Sequence, residues 1–451
     1  MFEKIKKAGL QILTRNVIGI MLSMISVYLI LKYVSAVEYA AVAAPQLIFF
    51  YAVNIGMLGQ DVLILKSGKE GPGEQVGLMY QIAVVGSLLT ISIASLVLIY
   101  YLGISNVIVY LFAGSYLIKV LSTILNACKE SKLDVSLQMK MEVIGQVVYI
   151  ISLVILLVTF EKGVFGIAAG VFISNLIVYI GIKKGSVIKY HCDWRWHGAV
   201  TLIKTGAQIQ YNSWIWQFRE AMIPVILKAN GQDELLGSYG LANQVIQKLG
   251  FLRQIVWRLA IPALSGMDRG DKRDSVIARA SELNTLGMAV IYMGLGLLLP
   301  YLAATYGRDW SMVSVAYLSL VVHLLLNTVF TLYCAAFISD LKLKELMVFH
   351  SSFVMLNVLG LYYGSAYFGS FQIVAAELLS GLAYVYLYVR IRKNYTSVSM
   401  GVALLYFISA MLSISLGVIG WYRASVAVFV MFVLIDPNVR SSIKLLSKRC
   451  Q

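Results

Sequence analysis

Apolar residues run along the chain in long, nearly unbroken stretches rather than with the period of two that marks a half-buried strand. Such stretches reach the roughly 18 to 28 residues that a helix needs to cross a bilayer. Read as helices, the first seven fall near 17–35, 40–65, 77–102, 105–128, 142–160, 164–183 and 205–228. Seven more fall near 237–264, 283–306, 311–338, 344–364, 367–391, 399–421 and 423–437, the last of them short. A basic amphipathic stretch, Met1 to Asn16, precedes the first run, which is too long for a signal-peptide core and is expected to be retained. The predicted fold is therefore an all-α polytopic membrane protein of about 14 spans.

The polar connections test that count independently. Lys4, Lys6 and Lys7, then Lys66 and Lys69, Lys129, Lys132 and Lys140, and Lys183, Lys184, Lys189, Arg195 and Lys204 all fall on one side. The same side takes Arg269, Lys272, Arg273 and Arg279, Lys342 and Lys344, Arg390, Arg392 and Lys393, and Arg440, Lys444, Lys448 and Arg449. The other side has only Lys32, Lys162, Lys228, Arg308 and Arg423. The positive-inside rule then places both termini in the cytoplasm. Spans one to six and seven to twelve form two blocks, predicting lobes at 1–190 and 191–395 around a central cavity, with two added spans and a basic tail over 396–451. Tyr100, Tyr101, Trp310, Tyr362, Tyr363, Trp421 and Tyr422 sit where an aromatic belt is expected.

Composition agrees. Of 451 residues, 59% are apolar and 13% charged, with a mean hydropathy of +0.80. Soluble domains carry about a quarter charged residues, so the soluble-enzyme classes are excluded. The net charge of +15 would suggest nucleic acid in a soluble protein, but here the bases set orientation against an anionic leaflet, and no nucleic acid is expected. Cys128, Cys192, Cys334 and Cys450 show no CxxC spacing and predict neither a disulfide framework nor a metal site. No nucleotide-binding loop is present in the sequence, and no cofactor is expected.

Polar residues inside the spans carry the functional signal, because a charge at mid-bilayer costs about 3 kcal/mol on insertion scales and needs a partner or water. Span four places Ser115, Lys119, Ser122 and Asn126 within about 60° of arc. That face lines water, or Lys119 snorkels while the small residues pack. In span seven, Gln208, Asn212 and Arg219 share one face, and Gln210, Ser213, Gln217 and Glu220 a neighbouring one. Arg219 and Glu220 point about 100° apart, which predicts a separate partner for each. Span eight adds Gln244, Gln247, Lys248, Gln254 and Arg258 within an arc of about 120°, while Arg253 points away. Asp61, Glu220, Glu377 and His323 are candidates for ion coupling, each with a bland reading as a hydrogen-bonded structural residue; His350 is a further histidine of this kind. Five intramembrane bases against three acids predict a cavity that attracts an anion.

With these residues in view, the chain resembles the bacterial lipid-linked oligosaccharide flippases of polysaccharide biosynthesis, within the multidrug, oligosaccharidyl-lipid and polysaccharide exporter superfamily. The resemblance rests on Val37 to Tyr39, on Gly56, Leu58 and Gly59 ahead of Asp61, and on Leu236, Gly237, Ser238 and Tyr239. It continues through Ile261, Pro262, Ala263, Leu264, then Leu299 and Pro300, and Tyr306 and Gly307. It implies a flippase, not an enzyme, in the cytoplasmic membrane that carries an undecaprenyl-pyrophosphate-linked repeat unit outward for O-antigen, lipopolysaccharide or related surface glycan. It also implies the lipid-linked oligosaccharide and membrane lipids as partners, together with a polysaccharide polymerase and a chain-length regulator. On that reading Lys119, Arg219, Lys248 and Arg258 hold the pyrophosphate. Ser115, Ser122, Asn126, Gln208, Asn212, Gln217, Gln244 and Gln247 line the path. Two alternatives stand beside it. A cation-coupled drug or metabolite antiporter of the same superfamily should show an acidic cavity, and a membrane glycosyltransferase needs a larger loop than any present.

Overall fold

The computed structural model describes residues 2–67, 74–130, 136–184, 196–265, 267–268, 270–306, 310–340, 342–395 and 401–418. Its helices begin with α1 (Phe2–Tyr33), α2 (Ala36–Gly56), α3 (Gln60–Ser67), α4 (Glu74–Leu96) and α5 (Asn106–Glu130). They continue with α6 (Ser136–Leu153), α7 (Gly163–Lys184), α8 (Trp196–Ala229), α9 (Asp233–Ser265) and α10 (Asp271–Tyr306). The rest are α11 (Val313–Ser339), α12 (Leu343–Phe368), α13 (Gln372–Gly381), α14 (Ala383–Asn394) and α15 (Gly401–Val418). A π-type turn extends α4 over 97–101 and another extends α6 over 154–159. Each expected span from 17–35 to 399–421 coincides with one of these helices or with a broken pair. The fourteenth, near 423–437, lies outside the described residues. Eight segments among the described residues are long and apolar enough to cross a membrane, and one of them, Leu343–Asn394, holds two expected spans. The chain is a multi-pass, all-α membrane protein.

Helix boundaries follow local chemistry. Ser35 opens α2 with a capping box: its hydroxyl accepts from the Glu38 amide at 3.3 Å, and the Ser35 amide donates to the Glu38 carboxylate at 3.0 Å. Span two then breaks after Gly56, where Leu58 and Gly59 turn at φ of 50° and 72° before α3 resumes. Leucine in this left-handed region costs on the order of 1 to 2 kcal/mol. The Leu58 carbonyl accepts from the Gln60 side-chain Nε2 at 3.1 Å, and it lies so close to α8 that a Cβ on Gly206 would meet it at 2.1 Å.

Two compact units divide the chain: Met1–Lys248 with Tyr306–Trp310, and Leu249–Thr305 with Ser311–Gln451. Helix α8 and the first part of α9 therefore pack with the helices that precede them. The lobes 1–190 and 191–395 come from counting spans and are a different grouping from this packing. Within the first unit α2 is central, 67% buried along its apolar window against 22% for α6 and 28% for α7. In the second unit α11 is central at 78%. Small residues let α9 lie directly on α2: a Cβ on Gly237 would sit 1.9 Å from the Ala36 carbonyl oxygen, and one on Gly240 would sit 2.3 Å from the Ala43 Cβ. Such close backbone approach is the usual way helices associate where lipid removes the hydrophobic driving force.

Tyr100, Tyr101, Tyr362 and Tyr363 are exposed, as an aromatic belt requires. Trp310 is not a belt residue. It is buried in the first unit, its indole N–H donates to the Val34 carbonyl at 3.0 Å, and its ring lies 5.8 Å from Tyr39. The carbonyl left over where α1 ends gives the indole a partner that a lipid interface lacks.

Candidate functional site

The contact of α9 with α2 brings Tyr239 and Tyr51 to α8. Glu220 accepts from the Tyr239 hydroxyl at 3.1 Å and from the Tyr51 hydroxyl at 3.3 Å, both on Oε2. Its other oxygen, Oε1, takes Nη1 of Arg219. The guanidinium also lies 5.2 Å from the Trp216 ring, one turn back on α8. Both charges are buried, Arg219 to 1% exposure. The 100° between neighbouring helical residues predicts separate partners, but the structure pairs Arg219 with Glu220. Three methylenes and a planar fork let arginine reach back to an adjacent carboxylate when burial leaves water out of the competition.

Lys119 stands near the middle of α5. Its ammonium lies 4.9 Å from the centre of the Phe50 ring on α2 and 5.2 Å from that of Tyr116, three residues earlier on α5. Tyr116 is fixed in turn, its hydroxyl donating to the Gln46 carbonyl at 2.8 Å. Two other polar residues of that face, Ser115 and Ser122, are hydrogen-bonded. Buried Ser115 accepts from Asn175 of α7 at 2.7 Å and donates to the Val171 carbonyl at 3.5 Å. Ser122 bonds back to the Ile118 carbonyl at 3.0 Å. Asn126 is buried with its side-chain oxygen unbonded among the described residues.

The amides predicted on spans seven and eight have the following places. Gln217 donates to Ser213 at 2.8 Å, and Gln244 accepts from the Tyr39 hydroxyl at 3.1 Å. Gln208 and Gln247 are exposed. Asn212, Lys248 and Arg258 lie on their helices, and their side chains are outside the described residues. Asp61 sits in the first turn of α3 with one buried oxygen unbonded among the described residues. His323 and Glu377 are buried in the second unit, His323 with its ring 4.9 Å from Phe353 and 6.5 Å from Tyr384. The structure thus joins Arg219 to Glu220 within the first unit, while Lys119 occupies its own aromatic slot there. No group of three or more potential metal ligands exists among the described residues.

Phe50, Tyr51, Tyr116, Asn175 and Tyr239 belong to these arrangements and were not singled out as site residues from sequence. The i, i+3 spacing of Tyr116 and Lys119 was a readable signal, since residues three apart share a helix face. Phe50, Tyr51 and Tyr239 gave none, because their contacts cross between helices.

Residues 78–281, which carry Lys119, Arg219 and Glu220, match a family model described as polysaccharide biosynthesis protein. No curated protein matches the sequence. Among solved structures, the chain is similar to the lipid II flippase MurJ in an inward closed conformation, with a TM-score of 0.72 at 11% identity over 95% of this chain and 97% of that one. It is also similar to an inward-facing multidrug resistance transporter of the MATE family and MOP superfamily, with a TM-score of 0.60 at 15% identity over 88% and 95% of the two chains. The MATE multidrug transporter DinF-BH gives 0.55 at 13% identity over 88% and 97%. The chain shares the fold of these solved transporters. The proteins it resembles are described as a flippase and as multidrug transporters. The sequence resemblance to polysaccharide-biosynthesis flippases of the superfamily agrees with the family model.

Proposed function

We propose that this protein is an alternating-access flippase. It moves an undecaprenyl-pyrophosphate-linked oligosaccharide repeat unit from the cytoplasmic to the outer leaflet of a bacterial inner membrane, for assembly of a surface polysaccharide such as O-antigen or lipopolysaccharide. The observation that carries this reading is the polysaccharide-biosynthesis match over the segment that holds Lys119 inside a bundle of membrane spans. A pyrophosphate in a low-dielectric interior needs cations, and Lys119, Arg219, Lys248 and Arg258 supply that chemistry. The alternation of basic connections supports cytoplasmic termini. The lobes 1–190 and 191–395 rock to expose the passenger to each leaflet in turn. Asp61, Glu220, Glu377 and His323 are the groups for coupling to an ion gradient, and consumption of the product by a polymerase and chain-length regulator would draw the reaction outward.

Deletion of the gene followed by chemical analysis of membrane lipids tests this. Accumulation of undecaprenyl-pyrophosphate oligosaccharide on the cytoplasmic leaflet is expected. Unchanged lipids with altered drug resistance would replace the reading with the antiporter one, for which the likeness to a MATE transporter is the supporting observation. Lys119→Ala and Lys248→Ala should each abolish surface glycan while the protein stays in the membrane, and normal glycan in both would reject the pyrophosphate assignment.

A further inference from the structure

We propose that Phe50 and Tyr116 are positioning residues that hold the Lys119 ammonium in an aromatic slot, fixing it in place for a phosphate-bearing ligand. The proposal rests on the reading of Lys119 as a pyrophosphate-binding cation. Lysine carries its charge on a flexible four-carbon stem, and a point charge that wanders binds an anion poorly because its freedom is lost on binding. A lysine inside a span would ordinarily snorkel toward an interface. Here two ring faces, at 4.9 Å and 5.2 Å, keep the ammonium near mid-helix. They do so through their quadrupoles and add no charge of their own.

Both walls of the slot are themselves braced. Tyr116 is buried, bonded at its hydroxyl to the Gln46 carbonyl, and packed 6.0 Å from Phe49 and 6.5 Å from Phe112. Phe50 meets the Tyr51 ring edge to face at 5.0 Å, and Tyr51 bonds Glu220. Consecutive residues of α2 therefore serve two cations of the first unit, Phe50 for Lys119 and Tyr51, through Glu220, for Arg219. That arrangement sets the position of Lys119 by the same helix that organises the ion pair.

The test replaces Phe50 with its mono-, di- and trifluorinated analogues, which keep the ring's shape while draining electron density from its face. Binding of undecaprenyl pyrophosphate to the full chain in nanodiscs is then measured, with Lys119→Ala and Phe50→Trp alongside. Affinity should fall stepwise along the series, reaching about tenfold at the trifluoro ring, and Phe50→Trp should bind at least as well as wild type. A packing role alone would leave the series flat. A flat series with Lys119→Ala still defective overturns the slot and leaves the flippase reading intact. Undiminished binding by Lys119→Ala, or no binding by the wild type, removes the pyrophosphate role of Lys119 and the slot with it.

Discussion

Replacing Glu220 with leucine removes the carboxylate that holds Arg219, Tyr51 and Tyr239 together. Arg219 is 1% exposed, so its guanidinium would be left charged without that carboxylate in a place that water does not reach. Breaking one side of a buried pair costs about 3 to 5 kcal/mol. The two tyrosine hydroxyls lose their acceptor as well, at about 1 to 3 kcal/mol each when nothing replaces it, though these terms overlap and do not simply add. For a unit of this size about 4 kcal/mol corresponds to a fall in Tm of roughly 10 °C. Glu220→Leu combined with Arg219→Met removes both charges, and replacing a whole buried pair with apolar side chains is often neutral or stabilising. The assay is thermal melting of the purified full chain in one detergent for wild type, each single variant and the double variant. Both single variants should melt well below wild type, and the double variant above either of them. A Glu220→Leu protein that melts like wild type, or a double variant less stable than both singles, would refute a mutually compensating pair.

Other outcomes follow from the second unit and from helix packing. Asp340 caps the C-terminal end of α11, where the helix dipole disfavours an acid, and Arg273 opens α10, where it disfavours a base; they satisfy each other at 2.9 Å while nearly fully buried. Asp340→Asn should therefore lower Tm by about as much as Glu220→Leu, and an unchanged Tm would show the pair to be dispensable. Tyr395, just beyond α14, donates to Asp340 at 3.1 Å, and burial together with that carboxylate raises its hydroxyl pKa above the usual value near 10. The folded state then holds the proton more tightly than the unfolded state, so this stabilisation is full below pH 10 and is lost as pH rises further. The fall in Tm between pH 8 and pH 11 should shrink in Tyr395→Phe, and an identical fall would count against it. Gly237→Val drives a side chain into the Ala36 carbonyl and should lift α9 from α2, abolishing folded protein in the membrane. Gly287→Ala, where nothing lies within 4 Å, should instead match or exceed wild-type stability, and equal behaviour of the two variants would exclude close packing as the reason for Gly237.

Much of the architecture was legible in the residues because the bilayer constrains this chain so strongly. Backbone groups in lipid must bond within their own segment, so a long apolar run is a helix whatever its neighbours are, and α1 to α15 fall where the runs predicted. The break of span two at Leu58 and Gly59 was not read from the apolar run, which continues across 40–65; it appears in the backbone, where both residues have positive φ. The site was legible in composition only. Arg219 and Glu220 stood out as costly charges, yet helical geometry alone assigned them different partners.

From the residues in order it follows that this is an all-helical membrane protein, which side chains must escape lipid, and where the basic connections lie, since each of these depends on transfer energies and periods that are local to a segment. Packing in three dimensions was needed to establish that Glu220 gathers Arg219, Tyr51 and Tyr239, that Lys119 lies over Phe50, and that Trp310 is buried rather than at an interface. Those outcomes turn on which helix faces which, and that is set by a few glycines allowing two backbones to touch, a fact that no single helix contains.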